Sequence, residues 1–192
     1  MKIILESKSP RRKELMDLLK VNYEILVSDE EEVIDETLEL KEKIKKIAYD
    51  KAVNVLNKTI GDRIIISADT VVVKDDVIYG KPKTKSQAFE MISKLQNDKH
   101  QVITSVCILI KNKNQKLENY NIADISTVTI NEMSQKEINN WLDSEQYIDK
   151  AGAYGIQTEF TKYIEKIDGN YNSIVGMPIN FVYKILKKYV EI

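Results

Sequence analysis

The stretch RIIISADTVVV, from Arg63 to Val73, constrains the fold more than any other part of the chain. Isoleucine and valine dominate it, and β-branched side chains are enriched in strands. It is therefore predicted to be a strand, and it is the strongest strand signal in the sequence. The polar interruption from Ser67 to Thr70 is unusual, because aspartate is poorly suited to the interior of a strand.

Other strand-like and helix-like segments are interspersed along the 192 residues, without strict alternation. This order favours an α/β fold with a mixed sheet over a purely parallel one. Because no repeat, low-complexity tract or clear linker interrupts the chain, residues 1–192 are predicted to form one domain, with two lobes around a cleft. Further strands are predicted over 2–6, 23–28, 77–80, 101–110, 122–130 and 160–167, with a turn over 112–116. Helices are predicted after Ser9, over 37–58 and 85–97, from a Ser134–Glu137 capping box to 144, and from Pro178.

Composition narrows the class of protein. The net charge of −1 shows no basic field that would indicate a nucleic-acid partner. The single cysteine, Cys107, excludes an internal disulfide and is predicted to be buried, and the single histidine excludes a His-rich metal site. Since no apolar run reaches the length of a membrane span or a signal peptide, a cytoplasmic protein without a membrane partner is expected.

Two arginines, Arg11 and Arg12, stand in the predicted first turn of the helix that follows Ser9. Ser9 can cap this helix, and Pro10 suits its first position. Cations are mildly unfavourable at a helix N-terminus, which carries a partial positive charge. The arginines therefore predict that something negative binds at this corner.

Lys51 breaks the pattern of the long predicted helix. At about 100° per residue, Lys51 falls near the middle of the apolar face. Its stem could pack there while the ammonium reaches solvent, or it could reach an anionic ligand or a carboxylate. The apolar face is formed by Leu40, Ile44, Ile47, Ala48 and Val55.

Asp69 breaks the pattern of the central strand. Alternation places it on the face of Ile65 and Val71. A carboxylate beside apolar side chains needs a metal, a cation or a proton. The alternative is a bulge or strand end at which Asp69 caps a turn.

Two further segments have both a functional and an ordinary interpretation. In GKPK, Pro82 stiffens the chain after Gly80 and fixes the direction of Lys81, although the segment could equally be a surface turn. The acidic cluster from Asp29 to Glu32 could ligate Mg²⁺ or form a solvated loop.

Taken together, these residues favour one kind of ligand. The cations, the carboxylates and the hydroxyls of the Ser7–Ser9 corner suit a polyphosphate with a divalent metal. No P-loop pattern is present, which excludes a Walker-type site. The cations are Arg11, Arg12, Lys51 and Lys81, and the carboxylates are Glu32 and Asp69.

Five segments occur in order between Ile4 and Pro178 and resemble the motifs of the Maf family of nucleoside triphosphate pyrophosphatases, once called septum-formation inhibitors. They are ILESKSPRRKELM, SADTVVV, GKPK, DKAGAYGIQ and GNYNSIVGMP. The resemblance implies a mixed-sheet α/β fold related to the inosine triphosphate pyrophosphatase architecture, with a deep cleft. It also implies a divalent metal (Mg²⁺ or Mn²⁺), often a homodimer, and hydrolysis of a nucleoside triphosphate to the monophosphate and pyrophosphate.

The resemblance also implies roles for single residues. Asp69 matches the proposed proton acceptor, and Glu32 matches an acidic position that, with Asp69, helps to hold the metal. The residues that match phosphate-contacting positions are Ser7, Arg12, Lys51 and Lys81. The residues that match the dTTP/UTP subgroup are Arg11, Thr70 and Gln157, where the subgroup acting on 7-methyl-GTP carries Trp, Gln and Glu. The expected substrate is therefore a pyrimidine nucleoside triphosphate, dTTP or UTP, together with modified pyrimidine nucleotides.

Two residues depart from the family pattern. Glu6 replaces a small residue before Ser7, and Thr158 follows Gln157 where the family usually has glycine and a longer loop. The first departure leaves open a nucleotide-binding regulatory protein without hydrolysis, and the second a pyrophosphatase with little base selectivity. A purely structural or nucleic-acid-binding protein is a further alternative, against which the near-zero net charge counts.

Overall fold

The computed structural model describes residues 1–28, 35, 37–112 and 117–192. The strands are β1 Lys2–Glu6, β2 Glu24–Ile25, β3 Arg63–Lys74, β4 Val77–Tyr79, β5 Asp98–Lys111, β6 Glu118–Ile130 and β7 Ile164–Asp168. The α-helices are α1 Pro10–Asp17, α2 Leu40–Asn57, α3 Lys85–Leu95, α4 Gln135–Asp143, α5 Tyr171–Val175 and α6 Ile179–Leu186. Two 3₁₀ helices cover Ala151–Ala153 and Glu159–Tyr163.

The strands form one seven-stranded sheet in the order β2-β1-β3-β5-β6-β7, with β4 paired to β3. β1 is parallel to both β2 and β3, whereas β4 is antiparallel to β3 and β7 is antiparallel to β6. The predicted mixed sheet of an α/β fold is therefore confirmed. β1 pairs with β3 from Lys2–Arg63 to Glu6–Ser67, so the carboxyl end of β1 lies beside the middle of β3, which continues to Lys74.

The chain forms two compact units. The first comprises Met1–Asp69, Thr104–Asp124 and Gly176–Ile192, and the second comprises Thr70–Ile103 and Ile125–Val175. Strand β3 passes from the first unit to the second between Asp69 and Thr70. Asp69, expected to be the proton acceptor, and Thr70, expected to contribute to specificity, are thus neighbours in the chain that belong to different units.

The core of the first unit lies between α2 and the sheet. Small residues on the helix permit close packing, and Cys107 of β5 is fully buried among them, as predicted. Burial raises the pKa of the Cys107 thiol to about 12, which makes it an inert core residue. The buried cluster contains Ile4, Ala48, Ala52, Val55, Ile65, Cys107 and Leu109.

The core of the second unit is built on α3 and α4, which pack against each other. Helix α3 also packs against the 3₁₀ helix Ala151–Ala153. The predicted capping box of α4 is confirmed, because the Ser134 hydroxyl accepts from the Glu137 amide and the Glu137 carboxylate accepts from the Ser134 amide. An aromatic cluster beside α4 contains Trp141, Tyr154, Phe160 and Tyr163.

Some predicted boundaries are wrong for identifiable reasons. The strand predicted over 23–28 shrinks to Glu24–Ile25, because it lies at the edge of the sheet with both residues exposed. Helix α3 ends before 97 because Gln96 is extended and Asn97 has a φ of +54°. Helix α5 was not predicted. The acidic cluster over 29–32, with Glu32, and most of the turn over 112–116 lie outside the described residues.

Within the described part of the chain, no helix combines the length and the apolar character needed to cross a membrane.

Candidate functional site

Side chains from three strands bind the backbone of α2 and fix its position on the sheet. The Ser67 hydroxyl of β3 donates to the Ala48 carbonyl. On β5 and β6, the Ser105 hydroxyl donates to the Ile44 carbonyl at 2.8 Å and the Asn121 amide to the Lys45 carbonyl at 3.0 Å. These directional contacts, added to the apolar packing, determine which way the next turn of α2 points.

That turn carries Lys51, and its ammonium meets Asp69. The Lys51 Nζ lies 3.9 Å from Asp69 Oδ1, and the two side chains are 20% and 16% exposed. At this distance the contact is an ion pair rather than a hydrogen bond. Of the two interpretations of Lys51, the structure favours the one in which it reaches a carboxylate. The Lys51 ammonium is also the cation that a carboxylate among apolar side chains, such as Asp69, was expected to need.

The Ser7 corner lies at the carboxyl end of β1. Ser7 is buried, and its hydroxyl accepts a hydrogen bond of 3.1 Å from the Ser9 amide. Pro10 begins α1 as predicted, but the Ser9 side chain makes no capping bond, so this part of the prediction is wrong. Since Glu6 pairs with Ser67, Asp69 lies on β3 just beyond the point at which parallel β1 ends, and Ser7 follows the last residue of β1. The carboxyl ends of strands are where α/β sheets commonly bind ligands.

Arg12 joins two of the motifs that are far apart in the chain. Its Nε donates to the Gly176 carbonyl at 2.9 Å. Gly176 has a φ of +142°, and a Cβ there would lie 3.5 Å from Arg12 Cγ. A side chain at this position would therefore be strained. Sequence reasoning did not single out Gly176, although a glycine just before Met177 and Pro178 was the available signal.

Glu6, the departure from the family pattern, is 1% exposed. Its Oε1 accepts from the Ser28 amide at 3.3 Å. Register with Ser67 places Glu6 on the sheet face that packs against α2, the face that also carries Asp69. The extra carboxylate therefore lies inside the first unit.

In the second unit, GKPK and DKAGAYGIQ are brought together. The Gly152 amide donates to the Gly80 carbonyl at 3.0 Å. Gly152 has a φ of +66°, and a Cβ there would lie only 2.9 Å from Val72 Cγ2, so this approach requires glycine. Pro82 is buried and Lys81 is exposed.

Gln157 is exposed at the tip of a tight turn. The Thr158 amide and hydroxyl both donate to the Gly155 carbonyl, at 3.2 and 2.7 Å. Thr158, where the family usually has glycine, therefore closes the turn from within. Ile156 is buried, whereas the side chain of Gln157 is exposed and accessible to a ligand.

The predicted site residues divide between the two units. Ser7, Arg11, Arg12, Lys51 and Asp69 lie in the first, and Thr70, Lys81 and Gln157 in the second. Glu32 lies outside the described residues. The structure directly joins Lys51 with Asp69, and it joins Arg12 with the GNYNSIVGMP motif.

The Asp69 carboxylate is compatible with binding of a divalent metal ion. Among the described residues, no three His, Cys, Asp or Glu side chains approach closely enough to hold an ion. Mg²⁺ is commonly bound by one or two carboxylates together with substrate phosphates and water. The partly accessible carboxylate of Asp69 suits this mode of binding.

The protein belongs to the Maf-like protein family, which matches residues 2–189. This confirms the resemblance that the five motifs indicated. The match extends over both compact units, so the family relationship concerns the chain as a whole and not one isolated motif.

Curated relatives match along almost their full length. The dTTP/UTP pyrophosphatase of Alkaliphilus oremlandii is 38% identical over 190 residues, covering 99% of this chain and 97% of the relative. Those of Clostridioides difficile and Lachnoclostridium phytofermentans are 38% and 36% identical, covering 100% and 97% of this chain and 97% and 94% of the relatives.

Among solved structures, that of the Staphylococcus aureus Ham1 protein covers 99% of this chain and 100% of its own, with 14% identity and a TM-score of 0.49. The expected relation to the inosine triphosphate pyrophosphatase architecture stays a prediction.

Proposed function

We propose that this protein is a nucleoside triphosphate pyrophosphatase that hydrolyses dTTP and UTP to the monophosphate and pyrophosphate. The contact between Lys51 and Asp69 carries the proposal, because it joins a carboxylate and a cation, the proposed base and a proposed phosphate-binding group, beside the carboxyl end of parallel β1. The names of the full-length relatives support the same reaction.

In the proposed reaction, water attacks the α-phosphorus of the nucleotide. Asp69 accepts a proton from the attacking water, and the bond between the α-phosphorus and the oxygen bridging to the β-phosphate breaks. Negative charge then builds on the departing pyrophosphate. Donors that bind this charge more strongly in the transition state than in the ground state accelerate the step. The proposed donors are Ser7, Arg12, Lys51 and Lys81.

A divalent cation, Mg²⁺ or Mn²⁺, supplies positive charge to the triphosphate when bound. Asp69 and Glu32 are the carboxylates proposed to hold it. The Asp69 carboxylate is partly accessible beside Lys51, so it would be able to hold the ion.

Base selectivity is proposed to rest on Arg11, Thr70 and Gln157. An amide offers one donor and one acceptor group, which matches the edge of uracil or thymine. A base that fails to pair leaves the amide unsatisfied, and such mismatches discriminate strongly. The exposure of Gln157 at its turn is consistent with this role.

The proposal also includes the extent of the domain, its location in the cell and its oligomeric state. Residues 1–192 are proposed to act as one Maf-like domain in the cytoplasm, where the nucleotide substrates occur, and to assemble as a homodimer. Analytical ultracentrifugation of the full chain measures the assembly directly.

Pyrophosphate release tests the reaction. The protein is incubated with Mg²⁺ or Mn²⁺ and with UTP, dTTP, CTP, GTP, ATP or 7-methyl-GTP. We expect pyrophosphate as the product, with UTP and dTTP leading. Another leading nucleotide would retain the reaction and contradict the pyrimidine preference. Binding of nucleotide without any pyrophosphate would instead establish the regulatory alternative.

A matched pair of variants tests the base preference. Gln157→Glu is expected to erode the preference for UTP and dTTP, because it removes the amide donor. Gln146→Glu introduces the same charge at another exposed glutamine and is expected to leave the preference unchanged. Equal profiles in both variants would remove Gln157 from the specificity role.

A further inference from the structure

A buried histidine–tyrosine pair in the second unit has no part in the mechanism above. His100, the single histidine of the chain, is 3% exposed on β5. Its Nε2 lies 2.6 Å from the hydroxyl of Tyr154, and the two rings meet edge to face with centroids 5.4 Å apart. Tyr154 belongs to the DKAGAYGIQ motif, three residues before Gln157.

The surroundings of the pair keep both groups neutral near pH 7. Burial, assisted by the nearby ammonium of Lys74, lowers the pKa of His100 to about 4, and only Asp98 opposes it. Lys74 is itself held by Asp98, at 2.9 Å, and by the Lys94 carbonyl, at 2.7 Å. Burial raises the pKa of the Tyr154 hydroxyl. The hydrogen bond is therefore a neutral one between two fixed side chains.

Further contacts hold the chain on both sides of the turn that carries Gln157. Before the turn, Trp141 Nε1 donates to the Ala153 carbonyl at 2.9 Å. After the turn, Phe160 is fully buried and its ring packs on Trp141, Tyr154 and Tyr163 at centroid distances of 5.2, 5.0 and 5.4 Å. Ring packing is not directional, so it restrains the Tyr154 ring but allows it to slide against its neighbours. The hydrogen bond to His100 supplies the directional constraint.

We propose that His100 and Tyr154 are positioning residues that hold the turn carrying Gln157 and thereby set the base selectivity of the enzyme. The selectivity part rests on the role of Gln157 in the proposed function. An amide that distinguishes base edges must be held to within a fraction of an ångström. Gln157 is exposed, so its placement depends on the stem of the turn, and the Tyr154 hydroxyl links this stem to His100 of β5.

Three variants isolate the hydrogen bond. Tyr154→Phe removes the hydroxyl and keeps the ring. His100→Gln keeps a side-chain group that can bond to the hydroxyl. Tyr163→Phe is the matched control, because it removes a hydroxyl from another ring that packs on Phe160.

Two measurements follow on the full-length protein. Loss of one hydrogen bond is expected to speed amide hydrogen exchange over residues 154–160 by about tenfold in Tyr154→Phe. The ratio of kcat/KM for UTP to that for GTP is expected to fall by about tenfold as well. His100→Gln is expected to stay closer to the wild type in both measurements, and Tyr163→Phe to match it.

The outcomes separate this proposal from the proposed function. Unchanged exchange in Tyr154→Phe overturns the positioning role, whatever the enzyme hydrolyses. Faster exchange with unchanged selectivity overturns the link to base choice, provided that Gln157→Glu shifts selectivity in the same assay. If Gln157→Glu has no effect, the proposed role of Gln157 in base choice fails, and if the wild type releases no pyrophosphate, the proposed reaction fails. In either case the exchange result alone decides whether the pair holds the turn.

Discussion

Asp69 stands in a strand of isoleucine and valine because a lysine on a neighbouring helix compensates its charge. A buried carboxylate without a partner is costly, and a cation at 3.9 Å offsets part of that cost. Both side chains keep some exposure, so a ligand can still compete for them. A pair that is compensated and yet accessible is suited to chemistry on a charged substrate.

The proposed base is tested by Asp69→Asn, which keeps the size of the side chain and removes its basicity. We expect pyrophosphate release to fall by at least ~100-fold. Asp143→Asn, which changes an exposed aspartate paired with Lys85, is the control and should retain full activity. An Asp69→Asn enzyme with most of its turnover would exclude this residue as the base.

The role of Lys51 is tested by Lys51→Met, which keeps an apolar stem among apolar neighbours. We expect kcat/KM to fall by about tenfold or more, because the ammonium serves the phosphates. The melting temperature is expected to fall only modestly, because Asp69 keeps some exposure to solvent once the ion pair is lost. Lys46→Met is the control on the same helix, since Lys46 pairs with Asp50 at 2.7 Å. Lost stability with unchanged kinetics would instead favour a lysine that merely packs along the helix.

At the scale of elements, the position of α2 depends on polar anchors as much as on apolar packing. Ala48 and Ala52 allow the helix to approach the sheet, and Ser67 and Ser105 then bind two of its carbonyls. A helix placed by apolar packing alone can shift along its axis at small cost. Hydrogen bonds resist that shift, and they place Lys51 opposite Asp69.

A pair of serine variants tests this anchoring. Ser67→Ala and Ser105→Ala each remove one hydrogen bond and are expected to lower the free energy of unfolding by about 1 kcal/mol. Ser67→Ala is also expected to lower kcat/KM further than Ser105→Ala, because its partner Ala48 lies one turn before Lys51. Chemical denaturation and steady-state kinetics measure the two effects. Equal kinetic losses would show that the anchors contribute stability without placing Lys51.

Elements that are defined by interactions between neighbouring residues can be predicted from the sequence, whereas elements that depend on distant parts of the chain cannot. The strand at β3 and the capping box of α4 are encoded by neighbouring residues, and both are confirmed. Strand β2 was predicted too long, because the sequence does not show that it lies at the edge of the sheet. The break between α5 and α6 depends on the positive φ of Gly176, a conformation fixed by the surrounding fold.

For the whole molecule, the buried histidine predicts a pH dependence of stability. The pKa of His100 is held to about 4 in the folded protein, against 6.5 for an ordinary histidine. The unfolded chain therefore binds a proton at a higher pH than the folded one, so the free energy of unfolding decreases as the pH falls from 6.5 to about 4. The difference between the two pKa values corresponds to a decrease of about 3 kcal/mol in the free energy of unfolding.

Urea denaturation of the wild type and of His100→Gln across this pH range checks the prediction. Exposed carboxyl groups whose pKa is lowered, such as those of Asp98 and Glu137, also decrease the free energy of unfolding as they are protonated in acid. This decrease is the same in both proteins. The contribution of His100 is therefore the difference between the two curves, and the variant curve should be the flatter one. Parallel curves would show that His100 does not titrate in this range.

The sequence by itself determined the family, the α/β class and the residue types of the candidate site. Local patterns were enough, because helical periodicity placed Lys51 on an apolar face and strand alternation placed Asp69 beside isoleucine and valine. Only the tertiary structure decided that these two side chains meet, that Arg12 binds the carbonyl of Gly176, and that His100 bonds to Tyr154. Those contacts join residues 18, 164 and 54 positions apart, and such pairings depend on strand order and helix placement that no local pattern specifies.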